Sequence, residues 1–218
     1  MRHLPLPSLP STLPNPSNLH QPTLFVIAGP NGAGKSTLSQ ELLSPFGLLA
    51  FDWDQVFHQK WSLFSFDPAV KDGVREAANR AFEEEVETAL SQRSSFAFET
   101  NFHTPVVLQV IDRFRKAGFQ VVLYFLYLTH AEIAKQRVQK RVEHGGHFVS
   151  ESTIEFRHQE GLTLLNQHFS EFDGLVVYNT GLDHDLRPML TLEQGQVLEA
   201  FVSAKDLHDQ LPTLAGLL

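Results

Sequence analysis

The hydrophobic positions of this sequence fall into two alternating patterns after residue 22. Short, uninterrupted apolar runs predict strands with both faces covered, as in a parallel sheet. Between them, apolar residues recur at spacings of three and four, which predicts helices with one buried face. The predicted strands cover residues 24–28, 48–52, 96–99, 121–128 and 175–178, and the predicted helices cover residues 36–43, 73–92, 105–117, 131–144 and 152–169. The alternation predicts an α/β fold, a parallel sheet flanked by helices.

The two ends of the chain have different patterns. Residues 1–22 hold six of the twelve prolines and predict an extended arm, which is either a docking segment or a solvated leader. Residues 23–218 are expected to form one domain, because 218 residues with 42% hydrophobic content suit a single core. Near its end, residues 190–201 predict a β-hairpin that turns at Gly195.

Composition narrows the class of protein. The chain has no cysteine, which excludes disulfides and cysteine zinc sites and favours a reducing compartment such as the cytoplasm. Its net charge of −8 argues against a nucleic-acid-binding protein, which would need clustered lysine and arginine. The longest apolar run, residues 121–128, is too short to span a membrane, and residues 1–22 lack the apolar segment of a secretory signal.

Residues 29–37, GPNGAGKST, stand between a predicted strand and a predicted helix. This is the spacing and the context of a P-loop, whose backbone N–H groups surround a phosphate. Lys35 is expected to reach the β- and γ-phosphates, and Ser36 is expected to hold Mg²⁺. A glycine-rich turn that only connects strand and helix is the alternative. The predicted nucleotide contacts are Gly29, Asn31, Gly32, Ala33, Gly34, Lys35, Ser36 and Thr37.

Carboxylates follow two of the predicted strands. Asp52 and Asp54 end the second strand, and Glu99 ends the third. Ligands of doubly wound sheets bind at this edge, where phosphoryl transfer needs a base for the acceptor hydroxyl and an acidic group near Mg²⁺. We assign Asp54 to the first role and Glu99 to the second, and interpret Asp52 as a helix cap.

Two predicted helices carry further charged candidates. The helix over residues 73–92 has glutamates around its apolar stripe, most of them expected to face solvent, with one contacting substrate. The helix over residues 131–144 carries Arg137 and Arg141 on one face, suited to clamp a transferred phosphate. The sequence Gly145-Gly146-His147 after it predicts a hinge for a helical lid.

These motifs, in this order, resemble the zeta toxin kinases and their short relatives. The resemblance rests on the P-loop, on FDWD at residues 51–54, on FET at residues 98–100 and on RVQKRVEHGGHFV at residues 137–149, followed by Arg157 and VYN at residues 177–179. It implies a P-loop NTPase-type kinase fold. It also implies a kinase that uses ATP or GTP with Mg²⁺ to phosphorylate UDP-N-acetylglucosamine, and a separate antitoxin protein.

The resemblance also implies roles for individual residues. Lys35 would hold phosphate, Asp54 would be the base, and Arg141 would grip the transferred phosphate. Further implied contacts with substrate or nucleotide come from Glu83 or Glu84, Glu99, Thr100, His147, Arg157 and Asn179.

The sequence departs from the family pattern at two positions. Ser150 stands where short members often have proline, and Phe156 precedes a lone Arg157 where they have two arginines. A weaker grip on phosphate or a different acceptor would follow. Two alternatives therefore stay open: a kinase for another nucleoside, sugar or coenzyme acceptor, and a switch that binds ATP without turnover.

Overall fold

A computed structural model describes residues 21–144, 146, 148–181 and 187–218, and only the backbone of Arg187. The predicted arm, except for its last two residues, and His147 lie outside the described residues. In the part described, the strands are β1 (Thr23–Ala28), β2 (Phe51–Asp52), β3 (Phe96–Thr100), β4 (Gln120–Tyr127), β5 (Gly174–Asn179), β6 (Arg187–Glu193) and β7 (Gln196–Ala200). The α-helices are α1 (Lys35–Leu43), α2 (Trp53–Ser62), α3 (Lys71–Gln92), α4 (Val106–Lys116), α5 (Ala131–Glu143), α6 (Glu151–His168), α7 (Ala204–Leu207) and α8 (Pro212–Ala215).

The seven described strands form one sheet in the order β2-β3-β1-β4-β5-β6-β7. The first five strands of this order run parallel, and β6 and β7 join antiparallel at one edge. The predicted α/β fold and the C-terminal hairpin are thereby confirmed. The hairpin turns at Gln194 and Gly195, which both have positive φ.

The core has two layers because β1 and β4 are buried on both faces. Leu24, Val26 and Ala28 of β1 pack on one side, with apolar residues of α3, α4 and α6. Phe25 and Ile27 pack on the other side, with residues of α1 and α5. Such strands read as continuous apolar runs, which is why the sequence pattern located them.

Two elements differ from the sequence prediction. The strand predicted at residues 48–52 pairs only at Phe51 and Asp52, while Leu49 is 80% exposed. The helix α2 was not predicted, although Asp52 caps it by accepting from the N–H of Gln55 at 3.0 Å. The apolar residues of α2 pack mainly on α3 in a small cluster separate from the main core, so its pattern is short and weak.

No helix within the described ranges combines the length and the apolar character needed to cross a bilayer.

Candidate functional site

The P-loop lies at the carboxyl edge of the sheet between β1 and α1. Its glycines are required by close packing as well as by backbone conformation. A Cβ on Gly29 would stand 2.6 Å from the carbonyl oxygen of Leu126 in β4, and one on Gly32 would stand 2.9 Å from that of Ala134 in α5. Both glycines also have positive φ, +149° and +79°. The loop is thus fixed against β4 and α5.

Lys35, the first residue of α1, points back into this loop. Its ammonium donates to the carbonyl oxygens of Gly29 at 2.8 Å and Pro30 at 3.2 Å, and to Oδ1 of Asn101 at 3.0 Å. Desolvation by burial lowers the pKa of Lys35 to about 8, and the nearby carboxylates of Asp54, Glu99 and Asp52 oppose this shift.

Two carboxylates converge on the hydroxyl of Ser36. Oδ2 of Asp52 and Oε2 of Glu99 each lie 3.0 Å from Oγ of Ser36, although the hydroxyl has one proton to donate. The register of the sheet explains the pair, because Asp52 of β2 lies beside Glu99 of β3. Burial, and after it the charge of Asp52, raises the pKa of Glu99. Ser39 donates to the other oxygen of Glu99 at 2.8 Å.

This arrangement fits a magnesium ion bound together with a nucleotide. Mg²⁺ prefers oxygen ligands and is usually held by one or two carboxylates together with substrate phosphates and water. Ser36, Asp52 and Glu99 supply a hydroxyl and two carboxylates of this kind. The described residues contain no group of three or more histidine, cysteine, aspartate and glutamate side chains suited to a metal, so these ligands would need the phosphates to complete the shell.

Two adjoining cavities open at this edge. The first, of about 470 Å³, lies over the P-loop, and the second, of about 820 Å³, extends toward α2, the start of α3 and the start of α6. The first is lined in part by Gly32, Gly34, Lys35, Thr37, Glu99, Thr100, Asn101 and His103. Both are lined by Asn31, Ser36, Asp52, Trp53, Asp54, Arg141 and Arg157.

The arginines of α5 and α6 occupy different positions around the site. Arg141 of α5 lines both cavities, and Gly146 packs on it so closely that a Cβ there would lie 2.5 Å from its Cγ. Arg157 of α6 also lines both and donates to Oδ1 of the buried Asn31 at 2.9 Å. Arg137 is among the lining residues of neither cavity. It donates to the carbonyl oxygens of Gly32 at 3.3 Å and Thr180 at 2.7 Å, which fixes the P-loop to the end of β5.

Several other predicted contacts lie outside the cavities. Glu83 is exposed and its carboxylate pairs with Arg113 at 2.8 Å, and Glu84 on the same helix is also exposed. Asn179 accepts from the N–H of Gly181 at 2.8 Å. The structure therefore does not bring these three residues to the cavity walls. On α3, Glu83 faces α4 and Glu84 faces solvent, while Asn179 ends β5 and contacts the chain that follows it.

The structure adds residues that sequence reasoning did not select for the site. Asp52 was interpreted only as a cap, yet it also faces Ser36. Asn101 and His103 follow β3 and line the first cavity, and Trp53 lines both. Burial, and after it the charge of Arg157, lowers the pKa of His103. The available signal was position, since all of these residues stand within three positions of a strand end.

The sheet order, the P-loop and the carboxylates at the strand ends define a P-loop α/β protein of the kinase type. A family model described as zeta toxin matches residues 9–183. The chain belongs to the zeta toxin family.

Solved structures share this fold. The structure of the PezAT chromosomal toxin–antitoxin system of Streptococcus pneumoniae aligns with a TM-score of 0.62 and 17% identity, over 77% of this chain and 71% of that one. The AvrRxo1-ORF1:AvrRxo1-ORF2 structure with sulphate ions aligns with a TM-score of 0.68 and 16% identity, over 89% and 65%. The same pair with ATP gives a TM-score of 0.64 and 15% identity, also over 89% and 65%. At these identities the likeness shows the fold.

A curated relative is an uncharacterized protein of Haemophilus influenzae, 29% identical over 70 residues. The match covers 32% of this chain and spans half the length of that relative.

The lowered pKa of Lys35 predicts a pH dependence of nucleotide binding. A bound triphosphate favours the charged ammonium, so binding above pH 8 must take up a proton. We expect ATP affinity to fall by about tenfold per pH unit above about pH 8. Fluorescent-nucleotide titrations between about pH 7 and about pH 9.5 would measure this. Lys35→Arg, which stays charged, should bind with a flat profile, and an equal fall in both proteins would contradict the assignment.

The raised pKa of Glu99 predicts that its ionised carboxylate destabilises the nucleotide-free protein, although the same carboxylate would help to bind a metal ion. When the pKa of a carboxyl group is higher in the folded than in the unfolded state, the folded protein loses stability as the pH rises. Glu99→Gln should therefore raise the Tm of the nucleotide-free protein by a few degrees at neutral pH, with no gain at pH 4. Stabilisation by Mg²⁺-ATP should shrink in the same variant. Glu84→Gln, on an exposed helix face, is the control, and a lower Tm at neutral pH would contradict the prediction.

Proposed function

We propose that this chain is an ATP-dependent kinase that transfers the γ-phosphate to a hydroxyl of a nucleotide sugar such as UDP-N-acetylglucosamine. The observation that carries the proposal is the meeting of the two cavities around Ser36, Asp52, Asp54, Arg141 and Arg157. A phosphate donor in the first cavity and an acceptor in the second would meet at these side chains. A cavity for ATP alone would leave the second space and its charged wall without a purpose.

The donor side is supported by the contacts of the P-loop. Lys35 would exchange its bonds to loop carbonyls for bonds to the β- and γ-phosphates, and the N-terminus of α1 would add its backbone N–H groups. When bound, Mg²⁺ would be held by Ser36, Asp52 and Glu99 and would neutralise charge on the phosphate oxygens. The ATP complex of AvrRxo1-ORF1:AvrRxo1-ORF2, which has the same fold, supports ATP as the donor.

The proposed phosphoryl transfer is a displacement at the γ-phosphorus. The acceptor oxygen forms a bond to the γ-phosphorus while the bond from that phosphorus to the β,γ-bridging oxygen breaks, so that ADP leaves. Asp54, which is exposed to both cavities, accepts the proton of the acceptor hydroxyl. Arg141 and Arg157 stabilise the negative charge that spreads over the transferred group.

The acceptor class and the partner rest on family membership and on likeness. The nucleotide sugar is the acceptor that the resemblance to zeta toxin kinases implies. A separate antitoxin protein is supported by the PezAT toxin–antitoxin structure, which shares the fold. The use of ATP and of a nucleotide sugar favours action in the cytoplasm.

A panel of acceptors tests the proposal directly. Incubation with labelled ATP, Mg²⁺ and UDP-sugars, nucleosides and dinucleotides, read by mass spectrometry, should show a phosphate gained by a UDP-sugar. Asp54→Asn should lower kcat by about 10²–10⁴-fold with ATP still bound, because the base is lost. Asp209→Asn, on a nearly fully exposed side chain, is the control. A panel in which no compound gains phosphate would favour the ATP-binding switch, and a phosphate on a different class would favour the other kinase.

The clamp role of Arg141 gives a second kinetic prediction. Arg141→Ala should lower kcat by about 10²–10³-fold with a small effect on ATP affinity, because its charge acts most strongly in the transition state. Lys140→Ala removes a neighbouring exposed charge of the same helix that does not line the cavities, and should leave kcat unchanged. Weaker ATP binding with unchanged turnover in Arg141→Ala would contradict the role.

A further inference from the structure

Trp53 stands between Asp52 and Asp54 in the sequence, and all three residues line both cavities. It is the first residue of α2, directly after the strand end that faces Ser36. The place where the cavities join is where a reacting hydroxyl must meet the γ-phosphate. An acceptor bound in the second cavity would bring its reacting part next to this half-buried indole.

The contacts of the indole limit what it can offer to a ligand. Its N–H donates to Oδ1 of Asn79 on α3 at 2.9 Å, so its one polar group is already used. Its ring is stacked on Phe57, with centroids 5.2 Å apart and planes 5° apart. Phe57 is itself buried against Val74 and Ala78 of α3. Trp53 is therefore held on two sides, and its remaining interaction with a ligand is that of an apolar aromatic surface.

The charges of the second cavity indicate how the acceptor is oriented. Lys71 and Arg75, at the start of α3, line the second cavity and not the first. They suit the anionic portion of an acceptor, placed away from the γ-phosphate. The neutral portion that carries the hydroxyl would then lie toward Trp53, beside the proposed base Asp54.

We infer that Trp53 is the platform on which the hydroxyl-bearing sugar ring of the acceptor packs, and that it orients that ring toward Asp54. The C–H groups on one face of a sugar ring form an apolar surface that suits an indole. This inference rests on the proposed function, because it requires a sugar acceptor in the second cavity. Trp53 then acts as a specificity-determining residue for a ring, in addition to the charged groups that perform the transfer.

Fluorescence of a single tryptophan tests the contact without turnover. The chain has two tryptophans, so Trp61→Phe leaves Trp53 as the only reporter. Trp53→Phe leaves Trp61, over whose ring the ammonium of Lys71 lies, as a control that should respond equally to UDP and to the sugar nucleotide. With the P-loop filled by a non-hydrolysable ATP analogue and Mg²⁺, UDP-N-acetylglucosamine should change the Trp53 emission, and UDP should change it much less. An equal response to both ligands would indicate that the uracil or the diphosphate, and not the sugar, contacts the indole. No response would indicate that the acceptor does not contact Trp53. Either result overturns the inference.

Kinetics of matched variants test the orienting role. Trp53→Leu, which keeps apolar bulk without a ring, should raise the acceptor KM about tenfold more than the ATP KM, and Trp53→Phe should recover most of the loss. Equal effects of the two variants would indicate a structural role only and overturn the inference, and thermal melting would show whether both fold. An emission change without any phosphorylated product would support the platform role of Trp53 and contradict the proposed kinase activity. Phosphorylated sugar with unchanged emission and unchanged KM in Trp53→Leu would keep the kinase and reject the platform.

Discussion

The site depends on two carboxylates held beside one hydroxyl by the register of the sheet. Asp52 and Glu99 are neighbours across the β2–β3 pair, and both approach Ser36 at 3.0 Å. Burial makes their proximity unfavourable to the folded protein, as the raised pKa of Glu99 indicates. A cation and a triphosphate would relieve that repulsion, together with the desolvation of Lys35. The same groups that cost stability in the free protein therefore favour binding of a metal-bound nucleotide.

The helices after β4 are tied to the P-loop as one unit. Arg137 joins the loop carbonyl of Gly32 to the end of β5, and Arg157 holds the side chain of Asn31. Lys135 of α5 contacts Glu155 of α6, which joins the two helices that carry Arg141 and Arg157. A shift of α5 or α6 would consequently move both the clamp and the phosphate cradle. The predicted lid has its hinge at Gly145-Gly146-His147, of which Gly145 and His147 lie outside the described residues, and it stays a prediction.

The strands and the P-loop could be predicted because their signals are local. Buried parallel strands produce continuous apolar runs, and the loop sequence has a fixed spacing. The position of Asp52 at a strand end placed it near the site, but its pairing with Glu99 could not be predicted, because it depends on which strand lies beside β2. Arg137 and Arg141 share a helix face, yet only the tertiary packing of α5 sends one to the loop backbone and the other to the cavities. The predicted substrate contact of Glu83 could not be tested from the sequence for a similar reason, since its partner Arg113 belongs to another helix.

The two differences from the family pattern lie beside different cavities of the site. Ser150, in place of a proline, lines the second cavity and caps α6 by accepting from the N–H of Thr153 at 3.3 Å. Phe156, in place of an arginine, packs edge-on against His103 of the first cavity, with centroids 6.2 Å apart. One cationic group is thereby exchanged for an aromatic one beside Arg157. With a lone arginine at this point, the proposed site would bind a phosphate group through fewer charges.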